Sequence, residues 1–437
     1  ELKRLGDSVS VQELTLPGDK AAFISNGRAG LISISDGKMD YYDIEGKLQI
    51  DLQKQAIQKF DEMARTLGAQ FYHPTMKGLD WEKLSDDYRE LAAKTRTGAE
   101  FNRVGMYLFG ELSGSHLGVY SEGYSAPNAQ SMGRLGTIHR RVDGGFEVLR
   151  VIPHSPAEVG AMSLEPGDVI LAVDKEPFSD NDTLETKLRG KAGKEVLLTI
   201  RRSFDDEQER QMDLLLTPIS FGEERQLKYN DWRMRNAEKV DEWSDGALGY
   251  IHIQAMNEPS LEVFERDLYA AADGKKGLII DVRNNGGGWT TDRLLASIMV
   301  QQHAYTIPRG ADPSLKGFYP QDRLFIQRYT MPINMLCNEK SFSNAEIISH
   351  AFKTLKRGTL VGQETNGSVI STGAFSLIDG TRVRLPYRGW YVAPNGLDME
   401  NHGAVPDILV PQTPEAESEN RDDQLEAAVK DLLKRIP

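Results

Sequence analysis

At 437 residues the chain has the length of about three domains, and a content of 39% hydrophobic and 27% charged residues is that of a folding chain rather than a disordered or collagen-like one. Its 52 Lys and Arg against 65 Asp and Glu leave a net charge of −13, which disfavours nucleic acid and anionic membrane surfaces as partners, because both need concentrated basic surface. The single cysteine, Cys337, rules out an intrachain disulfide and a multi-cysteine metal site, and its apolar surroundings (Ile333 to Cys337) predict a buried thiol. No apolar run is long enough to span a membrane, and Glu1-Leu2-Lys3-Arg4 is not a secretory signal. The first residue is not Met, so the expectation is a processed or trimmed chain: cytoplasmic, or periplasmic or secreted where a signal has been removed.

Residues 1–50 alternate short apolar runs (Ala21 to Ile24, Gly30 to Ile34) with turn sequences (Ser25-Asn26-Gly27, Ser35-Asp36-Gly37), the pattern of a β-meander. From Asp51 the period lengthens. Ile57, Phe60, Ala64 and Leu67 share one helical face, as do Trp81, Leu84, Tyr88 and Leu91, which predicts a small helical domain over 51–123. A Gly, Ser, Pro and Asn-rich stretch from Tyr124 to Gly136 reads as a linker or exposed loop.

Residues 134–218 read as a β-rich unit with strands Phe146 to Val151, Val169 to Val173 and Val196 to Ile200. Short helices are expected to start at Ser155, as N-cap before Pro156, and to run from Asp182 to Leu188. This order, with Ser155-Pro156-Ala157 and then Pro166-Gly167-Asp168 leading into a buried strand, resembles a PDZ domain. The resemblance implies a peptide held as an added strand, its carboxylate near Gly133-Arg134-Leu135-Gly136.

From Ser244 strands and helices alternate: strands at Gly249 to Ile253, Gly277 to Val282, Ile333 to Cys337 and Thr359 to Gly362, and helices at Leu261 to Ala272, Thr291 to Gln302 and Asn344 to Leu355. That is the grammar of an α/β domain built from crossover units. An acidic loop, Pro414 to Asp423, precedes a last helix with Leu425, Val429, Leu432 and Ile436 on one face.

Three stretches carry candidate chemistry. Asp281-Val282-Arg283-Asn284-Asn285-Gly286-Gly287-Gly288 joins a buried strand to a helix, and its glycines free backbone N–H groups for an oxyanion or a phosphate. It lacks the spaced glycines and the Gly-Lys-Ser/Thr ending of nucleotide-binding loops. Ser341-Phe342-Ser343-Asn344-Ala345-Glu346 also turns from strand to helix, where a serine is either an N-cap or an exposed nucleophile. Ser113-Gly114-Ser115-His116 ends the helical domain. A lone histidine is more often structural, and no His-x-x-x-His or Cys/His spacing supports a metal.

With these motifs in this order, the chain resembles the C-terminal half of the tricorn proteases, within the tail-specific and carboxy-terminal processing serine peptidases. Further matching stretches are Phe71-Tyr72-His73-Pro74, Gly78-Leu79-Asp80-Trp81 and Glu400-Asn401-His402-Gly403 with Val405-Pro406-Asp407. The resemblance implies a multidomain α+β protein: an N-terminal β segment (1–50), a small helical domain carrying Ser-His (51–123), a PDZ domain (134–218) and a crotonase-like α/β peptidase domain (219–437). It also implies a serine peptidase with Ser343 as nucleophile, His116 as base, Ser115 and Glu400 as the orienting relay, and Gly288 and Asn344 N–H groups as the oxyanion hole. Peptides or unfolded polypeptides are the implied partners, no metal or organic cofactor is needed, and assembly into a homo-oligomer is left open.

Three departures qualify the resemblance. The lysine of the Ser-Lys relatives is missing from Gly362-Gln363-Glu364-Thr365-Asn366-Gly367-Ser368, which selects the histidine-based branch. The acidic residue tied to basic specificity aligns roughly with Thr306, so that preference does not carry over. His402, beside Glu400, is read as a packing residue rather than the base. Residues 1–50 could supply only the end of a propeller. The alternatives are a catalytically silent PDZ-containing peptide-binding protein and, more remotely, a crotonase-type enzyme using the glycine loop on a thioester enolate.

Overall fold

The computed structural model describes residues 10–25, 27–43, 49–121, 131–158, 163–204, 208–299 and 328–436, with 305–306, 312, 314 and 317–318 in addition. It forms two units, 1–58 and 59–437. The first holds a four-stranded antiparallel meander, Ser10–Leu14, Lys20–Ser25, Arg28–Ser33 and Met39–Tyr42, paired in chain order. Its core is small: Ala21, Phe23 and Ile32, with the Phe23 ring lying over Gly30, where a Cβ would collide with it.

The second unit is organised by three sheets. Five parallel strands, Leu248–His252, Gly277–Asp281, Ile333–Cys337, Thr359–Gly362 and Ile408–Leu409, form one sheet in that order. The first three are buried throughout, as the unbroken apolar runs demand of strands covered on both faces. Phe264, Leu268, Ile348 and Phe352 belong to one of its apolar clusters, and Val240, Leu425, Val429 and Leu432 to the other.

The sheet of the PDZ-like unit runs in the order Glu209–Leu216, Val196–Ser203, Val169–Val173, Gly145–Val151, Thr137–Val142, which leaves Thr137–Val142 as an edge. The helix expected from Ser155 is absent from the described residues there: Pro153–Glu158 make turns, and 159–162 lie outside the described set. The helix expected over Asp182 to Leu188 is the single turn Leu184–Lys187, closed by Thr183 and Thr186 capping each other.

The third sheet positions the site. Ile370–Ser376, Arg382–Gly389 and Gly118–Tyr120 pair antiparallel in that order, and Val119, Val383 and Leu385 pack with Phe60, Met63, Leu67, Phe101 and Leu108 of the helical segment. The strand that follows His116 is thereby fixed to a hairpin more than 260 residues further on.

Other elements differ from the sequence expectation. A 23-residue helix, Phe221–Trp243, opens with the Ser220/Glu223 capping box; its buried side includes Glu224, Asp231 and Asn236, so no apolar stripe marks it. The acidic stretch after Thr413 is not all loop: Pro414–Ser418 forms a short helix on Ala416. The helix beginning at Thr291 ends at Ile298, and the expected continuation to Gln302 lies largely outside the described residues, as do most of the linker at 124–136 and the Thr306 side chain. Among the described residues no helix is long and apolar enough to cross a membrane.

Candidate active site

Two strand-to-helix loops of the parallel sheet are locked side by side. Asn338, just past Ile333–Cys337, accepts from the Asn284 N–H (3.0 Å) and donates to the Asn284 side chain (3.1 Å). Ser341 donates to the Val282 carbonyl (2.8 Å), and the Phe342 N–H donates to the Asn285 carbonyl (2.9 Å). Beneath them Asp281 and Arg283 form a buried ion pair extended to Asp422. The adjacent aspartates hold the guanidinium charged against the cost of burial.

Ser343 stands at the turn into the helix Asn344–Thr354 with φ 56° and ψ −116°, a left-handed conformation costing a β-carbon-bearing residue about 1–3 kcal/mol. Two features hold it there. Gly287 (φ 85°) lies directly against the turn, where a Cβ would come within 2.6 Å of the Phe342 carbonyl oxygen, 2.7 Å of Ser343 Cβ and 3.0 Å of the Asn344 nitrogen. Glu346, fully buried, takes the Ser343 N–H on Oε1 (2.9 Å).

The same Oε1 accepts from the Ser368 N–H (2.9 Å), and Oε2 accepts from the Thr365 hydroxyl (2.7 Å) and the Gly367 N–H. Burial pushes the Glu346 carboxyl above its usual range, and the four donors oppose that shift. Freed from capping, the Ser343 hydroxyl meets His116 Nε2 at 3.0 Å.

His116 (φ 62°) leaves the helical segment in a tight turn, its ring stacked on Phe342 at 4.8 Å between centroids. Its Nδ1 lies 2.8 Å from Ser115 Oγ, and Ser115 donates its hydroxyl to Glu400 Oε2 (2.8 Å) and its N–H to Oε1 (2.6 Å). Val369 N–H gives Glu400 a third donor at 3.0 Å. An ionised carboxylate only accepts, so the Ser115 proton points to Glu400 and its lone pair receives the Nδ1 proton. Nε2 is then the bare nitrogen facing Ser343. Burial first, and Arg384 second, push the imidazole down to about 4, which keeps it neutral near pH 7.

The N–H groups of Gly288 and Asn344 are used by no hydrogen bond among the described residues, although both neighbours of Gly288 are anchored: Met256 N–H donates to the Gly287 carbonyl, and Trp289 N–H to the Met256 carbonyl. Asn344 is itself fixed by the Thr291 N–H and hydroxyl. All six site residues expected from the sequence thus lie on this one cluster of elements. His402 does not join them. It is exposed rather than packed, its Nδ1 held by the Asp398 (2.9 Å) and Glu400 (3.1 Å) carbonyls.

Sequence reasoning quoted Glu346 and most of the loop 365–369 within motifs without giving them a part in holding Ser343, and it did not single out Arg384. The Ser-x-x-Glu spacing of a capping box was a readable signal for Glu346; nothing local signalled the other two.

Comparison with known proteins finds three family matches along the chain. Residues 247–410 match peptidase family S41, residues 53–110 the tricorn protease C1 domain and residues 147–202 a PDZ domain. The fold and its matches thus define a peptidase family S41 domain combined with a PDZ domain. Within that family the chain is tricorn-like. It is 29% identical to tricorn protease homolog 1 of Streptomyces coelicolor, over 98% of this chain and 40% of that protein. It is 28% identical to the tricorn protease of Thermoplasma volcanium, over 80% of this chain and 34% of that protein. The chain therefore spans well under half the length of these relatives. A crystal structure of the tricorn protease superposes on all of this chain and 42% of its own, with a TM-score of 0.82 at 22% identity, which shows a shared fold.

Proposed function

We propose that the chain is a serine peptidase in which Glu400, Ser115, His116 and Ser343 act in series. His116 Nε2 takes the Ser343 proton as Oγ attacks the peptide carbonyl, and later passes it to the leaving amine. Glu400 holds the Ser115 hydroxyl, and Ser115 holds Nδ1 and steadies the imidazolium. The free N–H groups of Gly288 and Asn344 receive the oxyanion, each worth about a hundredfold or more in rate. The PDZ domain lays an extended stretch of substrate along its edge strand Thr137–Val142. Free-carboxylate capture in its loop is the weaker part of that role, because the Gly133 and Arg134 N–H groups already bond the Leu188 and Ile219 carbonyls and Arg134 pairs with Glu185 at 2.7 Å.

The observation carrying the reading is the unbroken hydrogen-bonded chain from Glu400 to Ser343, drawn from positions 285 and 227 residues apart, with a neutral imidazole at its centre. The test is hydrolysis of a mixed peptide pool by wild type and Ser343→Ala, with fluorophosphonate labelling in parallel. Cleavage and labelling by wild type alone are expected. A folded wild type that does neither refutes the reading and leaves the peptide-binding alternative.

A further inference from the structure

One cleft of the second unit is lined by none of the six candidate site residues. It holds about 450 Å3, within the range of small-molecule sites, between the helices Phe221–Trp243 and Glu258–Ala272, with His154 of the PDZ-like unit on a further wall. Tyr229, Met234, Pro259 and Val263 supply apolar surface, and Arg233 and Arg266 supply charge. In a chain with 65 Asp and Glu against 52 Lys and Arg, no carboxylate lines it. Asp267 and Glu158 bond to lining residues without joining them: Asp267 takes Arg233 (3.2 Å) and Arg266 (2.7 Å), and Glu158 takes the His154 N–H. One aspartate between two guanidiniums leaves donors over. Arg233 Nη2 and Arg266 Nη1 are used by no hydrogen bond among the described residues, and Arg233 Nε is buried without a partner.

Free guanidinium donors beside apolar walls suit an anion carried on an apolar body. Because Asp267 already answers part of the charge, a single negative charge fits better than a dianion. An ammonium group finds no carboxylate in the lining, which disfavours free amino acids.

The cleft is also wired to the glycine loop. The Arg283 carbonyl only accepts, so His252 Nε2 donates to it (2.9 Å), and Nδ1 accepts the proton of the lining Tyr229 hydroxyl (2.9 Å). The next residue, Ile253, takes the Asn285 side-chain amide on its carbonyl (2.7 Å). Met256, between the lining residues Gln254 and Pro259, brackets Gly288: it donates to the Gly287 carbonyl and accepts from the Trp289 N–H. A ligand joining Arg233 and Tyr229 to Pro259 and Val263 therefore steadies the segment 252–260, and with it the Gly288 N–H assigned to the oxyanion.

We propose that this cleft is an effector site for a small organic monoanion, a carboxylate on an apolar body with no ammonium group, whose binding activates the peptidase site. The site stands on the cleft alone; the activation rests on the reading of Ser343 and His116 as the peptidase site.

The probe is hydrocinnamate, with its amide as the uncharged analogue and phenylalanine as the ammonium-bearing one, each titrated calorimetrically into the whole chain. Hydrocinnamate is expected to bind with a dissociation constant of about 0.1–1 mM, and both analogues about tenfold or more weaker. Arg233→Gln and Val263→Asp, the second setting a repelling charge in the wall, each weaken it about tenfold or more, while Arg225→Gln on the same helix keeps the wild-type affinity. Saturating hydrocinnamate speeds fluorophosphonate labelling of Ser343 by about fivefold or more in wild type and leaves it unchanged in Val263→Asp. No binding by folded wild type, equal binding of either analogue or of inorganic phosphate, or affinity unchanged in both variants overturns the site. Binding that leaves labelling unchanged or slows it overturns the activation. A chain that binds hydrocinnamate but never labels overturns the activation together with the peptidase reading, and the site stands.

Discussion

Replacing Glu346 tests whether the strained serine turn is held from below. Each carboxylate oxygen serves two donors, Ser343 and Ser368 N–H on one, Thr365 hydroxyl and Gly367 N–H on the other. Glutamine keeps the shape but turns one arm into a donor. With its NH2 toward Ser343 and Ser368, two backbone N–H groups are orphaned. Toward Thr365 and Gly367 only one is, because the Thr365 hydroxyl can rotate to accept while still receiving the Ala404 N–H (2.8 Å). The second orientation wins, and one orphaned buried N–H costs about 1–3 kcal/mol. The Ser343 bond survives in it, so Glu346→Gln lowers the denaturation midpoint while fluorophosphonate labelling slows less than about tenfold. Glu346→Ala orphans all four donors and opens a buried cavity, so it loses at least about twice as much stability. Released from its anchor, Ser343 relaxes out of its left-handed conformation and labelling slows by about a hundredfold or more. Equal destabilisation by Gln and Ala, or labelling of the Ala variant at the wild-type rate, would refute the reasoning.

Other perturbations bear on separate parts of the site. In Gly287→Ala a contact of 2.6 Å must open toward an ordinary 3.4 Å, which pushes the turn and the Asn344 N–H off their positions; kcat should fall by about a hundredfold or more with KM little changed. The pH profile of kcat/KM should stay level from neutrality to about pH 5 and fall near pH 4, because only neutral His116 accepts the Ser343 proton and its pKa is pushed down to about 4. Removing the Arg384 charge raises that pKa, so the acid limb of Arg384→Gln should move to higher pH; a limb that stays put or moves lower contradicts the electrostatic cause. Glu400→Gln can turn its NH2 toward Ser115 and reverse that hydroxyl, unsettling the Nδ1 tautomer, and kcat should drop by about a hundredfold or more while peptide affinity persists.

What could be read in the sequence follows from where the apolar surface lies. The strands Gly277–Asp281 and Ile333–Cys337 are buried on both faces, so continuous hydrophobic runs announce them. The helix Phe221–Trp243 is silent by the same measure, because its buried Asp231 pairs with Arg150 and its buried Asn236 donates to the Tyr250 hydroxyl. The hairpin Ile370–Gly389 carried an Asp379-Gly380 turn signal that a search for apolar alternation passes over, since its exposed face mixes Thr, Ala and Arg. The residue types of the site were legible because each stands in a short motif. Their convergence, and the placement of Arg384 in the strand paired with Gly118–Tyr120, were not: both depend on strand pairing between positions far apart, which no local pattern encodes.

The long span between His116 and its partners has a consequence for how the protein is made. Gly118–Tyr120 has no strand to pair with until Arg382–Gly389 has been synthesised, and Ser115 waits for Glu400, 285 residues later. At about 5–20 residues per second that wait is roughly 15–60 s. Throughout it the histidine arm lacks its carboxylate, and for 227 residues after His116 it lacks Ser343 as well, so a half-built chain cannot hold the hydrogen-bonded series on which the proposed peptidase depends.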